Sequence, residues 1–220
     1  MGVFISQLSL NAQTVNVHFK NGQVIKYPSN NVEYVDFSEK TDDPIISEGE
    51  TVDLGLSVLW ATCNLGAKSP EEDGDLFAWG EVSPKDYYFQ DTYSYYDNDK
   101  EVYIDIGSDI SGTDYDAAHV MLGKGWRIPT KDEMNELVEK CNWEWTQLNN
   151  KNGFKVTGPN GASIFLPAAD KINGGICYQT STESSVSDCW TVVGRSSMEP
   201  TIYIWESKWI GHTIRPVLNK

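Results

Sequence analysis

The alternation of apolar and polar residues is strongest near the start of the chain. Residues 15–19 alternate strictly, and Asn21-Gly22 follows them with the residues that a type I′ turn requires. A second extended stretch covers residues 23–27, and residues 32–37 can supply a third strand. Residues 14–37 are therefore predicted to form a small β-hairpin or meander.

Two later segments have the period of a helix. In residues 130–141, Thr130 and Glu133 match a capping box, and apolar residues recur on one face at Met134, Leu137, Val138 and Cys141. Residues 115–122 form the second helix candidate, which Gly123 ends. Short strand candidates fill much of the remainder: residues 59–63, 153–157, 163–166, 188–193, 201–205 and 213–217. Two helices followed by a run of strands predict an α+β fold.

Composition shifts divide the chain into segments. Residues 38–50 are polar, acidic and interrupted by Pro44 and Gly49, so they are predicted to be a linker before a main domain at 51–220. Residues 1–13 are mildly apolar, and they match either the remnant of a secretory signal or a first strand. No apolar run reaches the roughly 18 residues that a membrane span needs.

The charge balance restricts the partners. The chain has 17 basic and 32 acidic residues, which gives a formal net charge of −15. The densest basic stretch, residues 151–155, holds two lysines, so a nucleic-acid partner is not predicted and an anionic membrane surface is disfavoured. The acidic surface instead favours cations and cationic partners.

Six motifs follow one another in a fixed order along the main domain. They are VDLGLSVLWATCNLGA (52–67), FAWGE (77–81), ISGTDYDAA (110–118), GWRIPTKDE (125–133), IFLPAA (164–169) and IRPV (214–217). Together they resemble the Fibrobacter succinogenes major paralogous domain family of Bacteroidetes-type secreted proteins, over about residues 51–218. The resemblance implies a C-type-lectin-like domain, with two helices and a small irregular antiparallel sheet, in a secreted or cell-surface protein with roles such as adhesion.

Most of the motif residues are predicted to have structural roles. This set comprises Trp79, Glu81, Trp126, Arg127, Thr130, Glu133 and Arg215. Arg127 is expected to be a buried guanidinium paired with a carboxylate or with carbonyl groups. Glu81 is expected to meet Arg127 or Arg215. Such contacts preserve a fold and do not by themselves name a function.

Four cysteines, Cys63, Cys141, Cys177 and Cys189, allow two disulfides in an oxidising compartment, with buried thiols as the alternative. Because Cys63 and Cys141 lie in segments shared with the family, the resemblance favours pairing them, which leaves Cys177 with Cys189.

An enzyme of the related formylglycine-generating type is the alternative function. Such enzymes use a closely spaced cysteine pair near the C-terminus, whereas Cys177 and Cys189 are twelve positions apart. None of His18, His119 and His212 lies in a catalytic motif, so no catalytic residue is assigned.

No cofactor is assigned, although a structural Ca²⁺ within residues 91–116 stays open. Oxygen donors alternate there at Asp97, Asp99 and Glu101, but the glycine and terminal glutamate of an EF-hand are missing. The ligands of any metal site are not predicted.

Aromatic loops are the best candidates for recognition. In the lectin-like fold the C-terminal third commonly presents the ligand surface, and the resemblance points there to Tyr203, Trp205, Glu206, Lys208 and Trp209. The sequence thus predicts a non-enzymatic binding module whose ligand is a glycan or a protein. A purely structural surface protein is the third alternative.

Overall fold

The computed structural model describes residues 14–18, 24–28, 51–123, 125–170 and 174–220, the first two ranges by their backbone alone. The side chains of Ile204 and Trp205 lie outside the described part. The chain divides into two compact units, Met1–Asp42 and Asp43–Lys220. This division falls inside the segment expected to be a linker.

The first unit contains a hairpin of β1 (Thr14–His18) and β2 (Val24–Pro28). The strands are antiparallel, with Val17 opposite Ile25, and both lie in the segments expected from the alternation. The third strand at 32–37, residues 1–13 and the linker all fall outside the described residues.

The second unit consists mainly of short strands. Its β-strands are β3 (Thr51–Asp53), β4 (Val58–Ala61), β5 (Leu76–Phe77), β6 (Tyr96–Asp97), β7 (Val102–Tyr103), β8 (Asn142–Leu148), β9 (Lys151–Thr157), β10 (Ser163–Pro167), β11 (Ile176–Glu183), β12 (Asp188–Arg195), β13 (Met198–Ser207), β14 (His212–Thr213) and β15 (Val217–Asn219). Two α-helices lie within the described residues, α1 (Ala117–Leu122) and α2 (Lys131–Lys140).

The largest sheet has the strand order β13-β12-β11-β14-β5, in which β11 and β14 pair in parallel and the other neighbours are antiparallel. Two three-stranded sheets have the orders β10-β9-β8 and β15-β4-β3, and β6 pairs with β7. The C-terminal strands β14 and β15 therefore hydrogen-bond to β5 and β4 from the beginning of this unit.

The prediction of an α+β, C-type-lectin-like fold is wrong. Strands make up 40% of the structure and form several sheets, whereas helices make up 12%. Two of the longer strands, β8 and β11, had no expected counterpart. In β11 the polar residues Gln179, Thr180 and Ser181 are all buried, so the strand has no apolar–polar alternation that would reveal it. The turn between β8 and β9 lies at Asn149-Asn150, whose positive φ angles of 47° and 66° suit a tight hairpin.

The two helices occupy the expected segments. At the start of α2, the Glu133 backbone N–H donates to Thr130 Oγ1 (3.3 Å), and the Thr130 N–H donates to Glu133 Oε2 (2.8 Å), so the capping box is present. The N-cap of helix α1 is Asp116, whose carboxylate accepts hydrogen bonds from the N–H groups of Gly112, His119 and Ile128.

The core has two apolar clusters. The first gathers side chains from α2 and several strands, among them Leu54, Trp60, Met134, Leu137, Phe154, Tyr178 and Val192. The second surrounds α1 and the end of β5, and includes Phe77, Trp79, Ile110, Trp126 and Ile214. Trp79 and Trp126 are thus core residues, as the motifs predicted.

Arg215, between β14 and β15, is completely buried, with 0% of its surface exposed. Its guanidinium donates to the carbonyl oxygens of Ala61 (3.0 Å), Thr62 (2.5 Å) and Phe165 (2.8 Å) and to Asn64 Oδ1 (2.9 Å). Every one of these partners is neutral. The side chain therefore joins the end of β4 and the strand β10 to the C-terminal segment.

Of the other charged motif residues, Arg127 pairs with a carboxylate as expected, whereas Glu81 does not have the expected partner. Arg127 is partly buried and pairs with Glu133 through two hydrogen bonds of 2.7 and 2.5 Å, and it also donates to Asn219 Oδ1 (2.7 Å). Glu81 meets neither Arg127 nor Arg215. It pairs with Lys85 at 2.6 Å and accepts hydrogen bonds from the backbone and hydroxyl of Ser94. The spacing of the motifs could not reveal these partners, because Lys85 and Ser94 lie between the motifs at 77–81 and 110–118.

Replacing the buried guanidinium should destabilise the domain strongly. In Arg215→Met, four buried acceptors lose their donor, and we expect the free energy of unfolding to fall by about 3 kcal/mol or more. Chemical denaturation followed by tryptophan fluorescence measures the change. Arg195→Met, at an exposed arginine, is the control and should cost within about 0.5 kcal/mol. Equal losses in the two variants would contradict the role given to Arg215.

A second prediction concerns Glu136 on α2. Its carboxylate accepts hydrogen bonds from the backbone and hydroxyl of Ser57 and pairs with Lys140 at 2.8 Å. Burial acts to raise the pKa of Glu136, but the bonds from Lys140 and Ser57 outweigh it and lower the pKa from 4.5 to about 2. The stabilisation is therefore complete above pH 4.5 and is lost as the pH falls towards 2. We expect unfolding measured across that range to show a shallower loss in Glu136→Gln than in wild type. Identical pH profiles would refute the assignment.

Candidate functional site

The site lies on the face of the five-stranded sheet that turns away from α2. Tyr178 and Val192 point into the first core cluster, and they stand opposite each other in the register of β11 and β12. Because successive side chains on a strand alternate between faces, Cys177 and Val193 point to the opposite face. Val193 is paired in turn with Thr201 of β13.

A cavity of about 360 Å3 opens beside this face. The larger side chains that line it are those of Asp170, Arg195, Met198, Tyr203 and Glu206, and Gly175 and Gly194 also belong to the lining. Tyr203 keeps 36% of its surface exposed. The cavity thus combines an accessible aromatic ring, a guanidinium and two carboxylates, all from the C-terminal half of the chain.

A second cavity of about 380 Å3 lies elsewhere, lined in part by Thr146, Gln147, Lys155 and Phe165. It is slightly larger, but Lys155 is its one titratable side chain and its aromatic ring, Phe165, is buried. Size alone does not decide a binding site, and the first cavity offers more groups that can orient a ligand.

Behind the first cavity three polar side chains meet. His212 Nδ1 lies 3.2 Å from Cys177 Sγ, and His212 Nε2 lies 3.5 Å from Glu206 Oε2. Cys177 and His212 are buried, whereas Glu206 is partly exposed and also lines the cavity. The three residues come from β11, β13 and β14, and the parallel pairing of Tyr178 with Thr213 brings Cys177 beside His212.

The chain packs closely against Tyr88 just before β14 begins. The ring of Tyr88 packs on Gly211, where a Cβ atom would lie 2.7 Å from the ring. The Tyr88 hydroxyl donates to the carbonyl oxygen of Leu76 and accepts from the N–H of Lys85. This contact leaves no room for a side chain at position 211 and positions His212 next to β5.

Burial sets the protonation of the three groups. It raises the pKa of the Cys177 thiol well above its usual range, and the charges of Glu206 and Asp170 act in the same direction. Burial also lowers the pKa of His212 to about 4. Burial, together with Asp170 and Asp188, raises the pKa of Glu206. At neutral pH the thiol and the imidazole are therefore uncharged.

Enzymes with a cysteine nucleophile also place a thiol, an imidazole and a carboxylate in this order, but the pKa shifts at this site oppose that chemistry. A catalytic cysteine needs a thiolate, which requires a lowered thiol pKa and an imidazole that accepts the proton. At this site burial raises the pKa of the thiol and lowers the pKa of the imidazole. The arrangement does not activate Cys177 for attack on a substrate.

Two of the five predicted ligand residues share the cavity. Tyr203 and Glu206 line it. Lys208 does not: it is 6% exposed, pairs with Glu183 at 2.8 Å and lies 4.5 Å from the centre of the Trp79 ring. It is a structural residue, because its charge is used within the fold. Trp209 is partly buried and is not among the lining residues, and the side chain of Trp205 lies outside the described part.

The sequence did not indicate the other groups of this site. His212 has no motif around it, and Cys177 was assigned to a disulfide. Arg195 and Met198 lie at the β12–β13 turn and reach the cavity through the register of the hairpin. Positions 177, 206 and 212 have no recognisable spacing, so only the pairing of three strands brings them together.

The tyrosine-rich insertion, residues 87–103, packs partly against itself. Tyr93 is buried and donates to the carbonyl oxygen of Trp79, and edge-to-face contacts join Tyr93 with Tyr95 and Tyr96 with Tyr103. Tyr87 is 71% exposed. The insertion is thus a small aromatic core with one exposed tyrosine.

The acidic segment considered for Ca²⁺ is the turn between β6 and β7. Asp97 Oδ1 accepts hydrogen bonds from the N–H groups of Asp99 and Lys100, and its other oxygen pairs with Lys100 Nζ at 2.7 Å. The Asp97 carboxylate is therefore used within the turn itself.

The predicted disulfides are wrong. All four cysteines lie in the described part of the chain, and none is in a disulfide. Cys177 is opposite Val193 whereas Cys189 lies four residues away on the same strand, opposite Glu183. At about 3.3 Å per residue, this exceeds the roughly 7 Å between Cα atoms that a disulfide can span. Cys141, at the end of α2, packs against the first core cluster, and Cys63 is buried after β4.

Comparisons with known proteins supply no relative: no protein-family model, curated protein or solved structure matches the chain. The family resemblance therefore stays a prediction. Among the described helices the longest has ten residues, which is too short to cross a bilayer.

The thiols should differ in reactivity. Burial raises the pKa of Cys141 to about 11, but this side chain is partly exposed, while Cys63, Cys177 and Cys189 are buried. We expect brief treatment of the native protein with iodoacetamide to label Cys141 first, and labelling after denaturation to modify all four. Peptide mass spectrometry under non-reducing conditions measures both. A peptide joining Cys63 to Cys141 or Cys177 to Cys189 would contradict the structure.

Proposed function

We propose that the chain is a non-enzymatic binding module, secreted or displayed on the cell surface, that recognises a short glycan in the cavity beside Tyr203. The observation that supports this most is the grouping of the partly exposed Tyr203 ring with Arg195, Asp170 and Glu206 around one concavity. Export rests on the sequence resemblance.

The chemistry of the cavity suits a sugar. A tyrosine supplies a rigid apolar face with few rotatable bonds, on which the C–H face of a pyranose can stack. Carboxylates accept hydrogen bonds from sugar hydroxyls, and a guanidinium donates to them. The volume of about 360 Å3 lies at the lower end of the range for small-ligand pockets, which suits one or two sugar rings.

The uncharged thiol and imidazole also support binding rather than catalysis. An enzyme of the formylglycine-generating type would use two neighbouring cysteines, whereas Cys189 lies four residues along β12 from Val193, the residue opposite Cys177. A protein ligand is the other class of partner, and a binding screen tells the two apart.

The test is a glycan-array and protein-partner screen of the full chain, followed by titration of the best glycan. We expect Tyr203→Ala to weaken that glycan at least about tenfold, which corresponds to roughly 1.4 kcal/mol, because the stacking face is removed. Tyr87→Ala is the matched control, since it removes another exposed tyrosine that lies outside the cavity. It should bind normally.

The proposal fails if Tyr203→Ala is folded and binds the glycan with unchanged affinity. It also fails if the screen finds a protein partner and no glycan. Circular dichroism of each variant verifies the fold.

A further inference from the structure

We propose that Cys177, Glu206 and His212 form a binding site for a single Zn²⁺ ion behind the cavity. This inference does not rest on the proposed glycan function, because Cys177 and His212 are buried and only Glu206 is shared with the cavity. One sulfur, one nitrogen and one oxygen donor lie within 4.8 Å of one another.

The spacing of these donors is close to that of a tetrahedral metal site. Zinc lies about 2.3 Å from sulfur and about 2.0 Å from nitrogen or oxygen, so neighbouring ligands stand roughly 3.3–3.7 Å apart. Cys177 Sγ lies 3.2 Å from His212 Nδ1, and Glu206 Oε2 lies 3.5 Å from Nε2 on the other edge of the ring. Zinc would bind one of the two nitrogens, so the imidazole or Glu206 would have to rotate to bring that nitrogen, the sulfur and the oxygen to a common centre. Glu206 has room for this at the cavity edge.

An unsatisfied polar atom points to a ligand at this place. His212 Nε2 is buried and has no hydrogen-bond partner in the described structure, although the side chain is more than nine-tenths buried. It faces Glu206 at a distance too long for a hydrogen bond. A buried polar group without a partner is unfavourable, and a metal ion would give the imidazole a bond.

The local charge also calls for a cation. Glu206 is partly exposed and lines the cavity together with a second carboxylate, Asp170. Among the described residues, the ion-pair partner of Glu206 is His212. A carboxylate withdrawn from water is stabilised by a paired cation or a bound metal. Zinc binding would balance this charge.

The donor types select zinc over calcium or magnesium. Thiolate and imidazole ligands suit zinc, whereas calcium and magnesium prefer oxygen. An imidazole binds zinc through an unprotonated nitrogen, and the Cys177 thiol would release its proton to solvent as the metal–sulfur bond forms. Three protein ligands leave a fourth tetrahedral position for water, on the cavity side where Glu206 lies.

The experiment uses the full chain, stripped with a chelator and kept reduced. Titration of Zn²⁺ against a chromogenic chelator measures the affinity and stoichiometry. Replacement by Co²⁺ reports the ligands, since thiolate coordination gives a charge-transfer absorption in the near ultraviolet. We expect one equivalent of metal, with that absorption, in the wild-type protein.

Three variants locate the site. Cys177→Ser and Glu206→Gln should each weaken zinc binding about 100-fold or more, and Cys177→Ser should also abolish the charge-transfer absorption. Cys141→Ser is the matched control, because it removes a thiol that lies outside the cluster, and it should bind zinc like wild type. Circular dichroism establishes that each variant folds.

The proposal is overturned if the wild-type protein takes up no zinc, or if Cys177→Ser keeps both the affinity and the cobalt spectrum. Glu206→Gln is a second test, because Glu206 is partly exposed and glutamine keeps the shape of the side chain. Tyr203→Ala separates the two proposals: it should lose the glycan and retain zinc.

Discussion

The buried guanidinium of Arg215 is the contact on which the second unit depends most. Arginine cannot shed its charge, so its burial requires that every donor find an acceptor. The acceptors come from Ala61 and Thr62 at the end of β4, from Asn64, and from Phe165 in β10. Three distant parts of the chain must therefore be in place together. Small shifts of any one would leave a charge unsatisfied in the core.

The same contact positions the candidate site. Arg215 stands three residues after His212, and the chain between them includes β14, which pairs with both β11 and β5. With the guanidinium fixed at one end and Gly211 pressed against Tyr88 at the other, His212 has little freedom to leave Cys177. Rigid support of this kind is what a preorganised binding site requires. The cavity, by contrast, is bounded by the β12–β13 hairpin, whose tip contains the exposed Arg195.

Local signals in the sequence predicted the local structure well and the long-range structure poorly. The capping box at Thr130 and the period of its apolar residues located α2, because a helix is decided by neighbours in the chain. The strand β11 went unnoticed, since its buried Gln179, Thr180 and Ser181 look like a surface segment. Of the site, Tyr203 and Glu206 were predicted from the aromatic loops of the C-terminal third, to which the family resemblance pointed. Cys177 and His212 could not, because strand register alone makes them neighbours.

The sheet orders have a consequence for the timing of folding. Strands β4 and β5, from the start of the second unit, are bordered by β15 and β14 from its end. During synthesis these first strands must wait for residues 212–219 to leave the ribosome before their hydrogen bonds can be completed. Such a fold has many contacts between distant residues and should form slowly. A chain stopped before residue 212 would expose two open strand edges at once, which makes it a substrate for aggregation or proteolysis rather than a partly working protein.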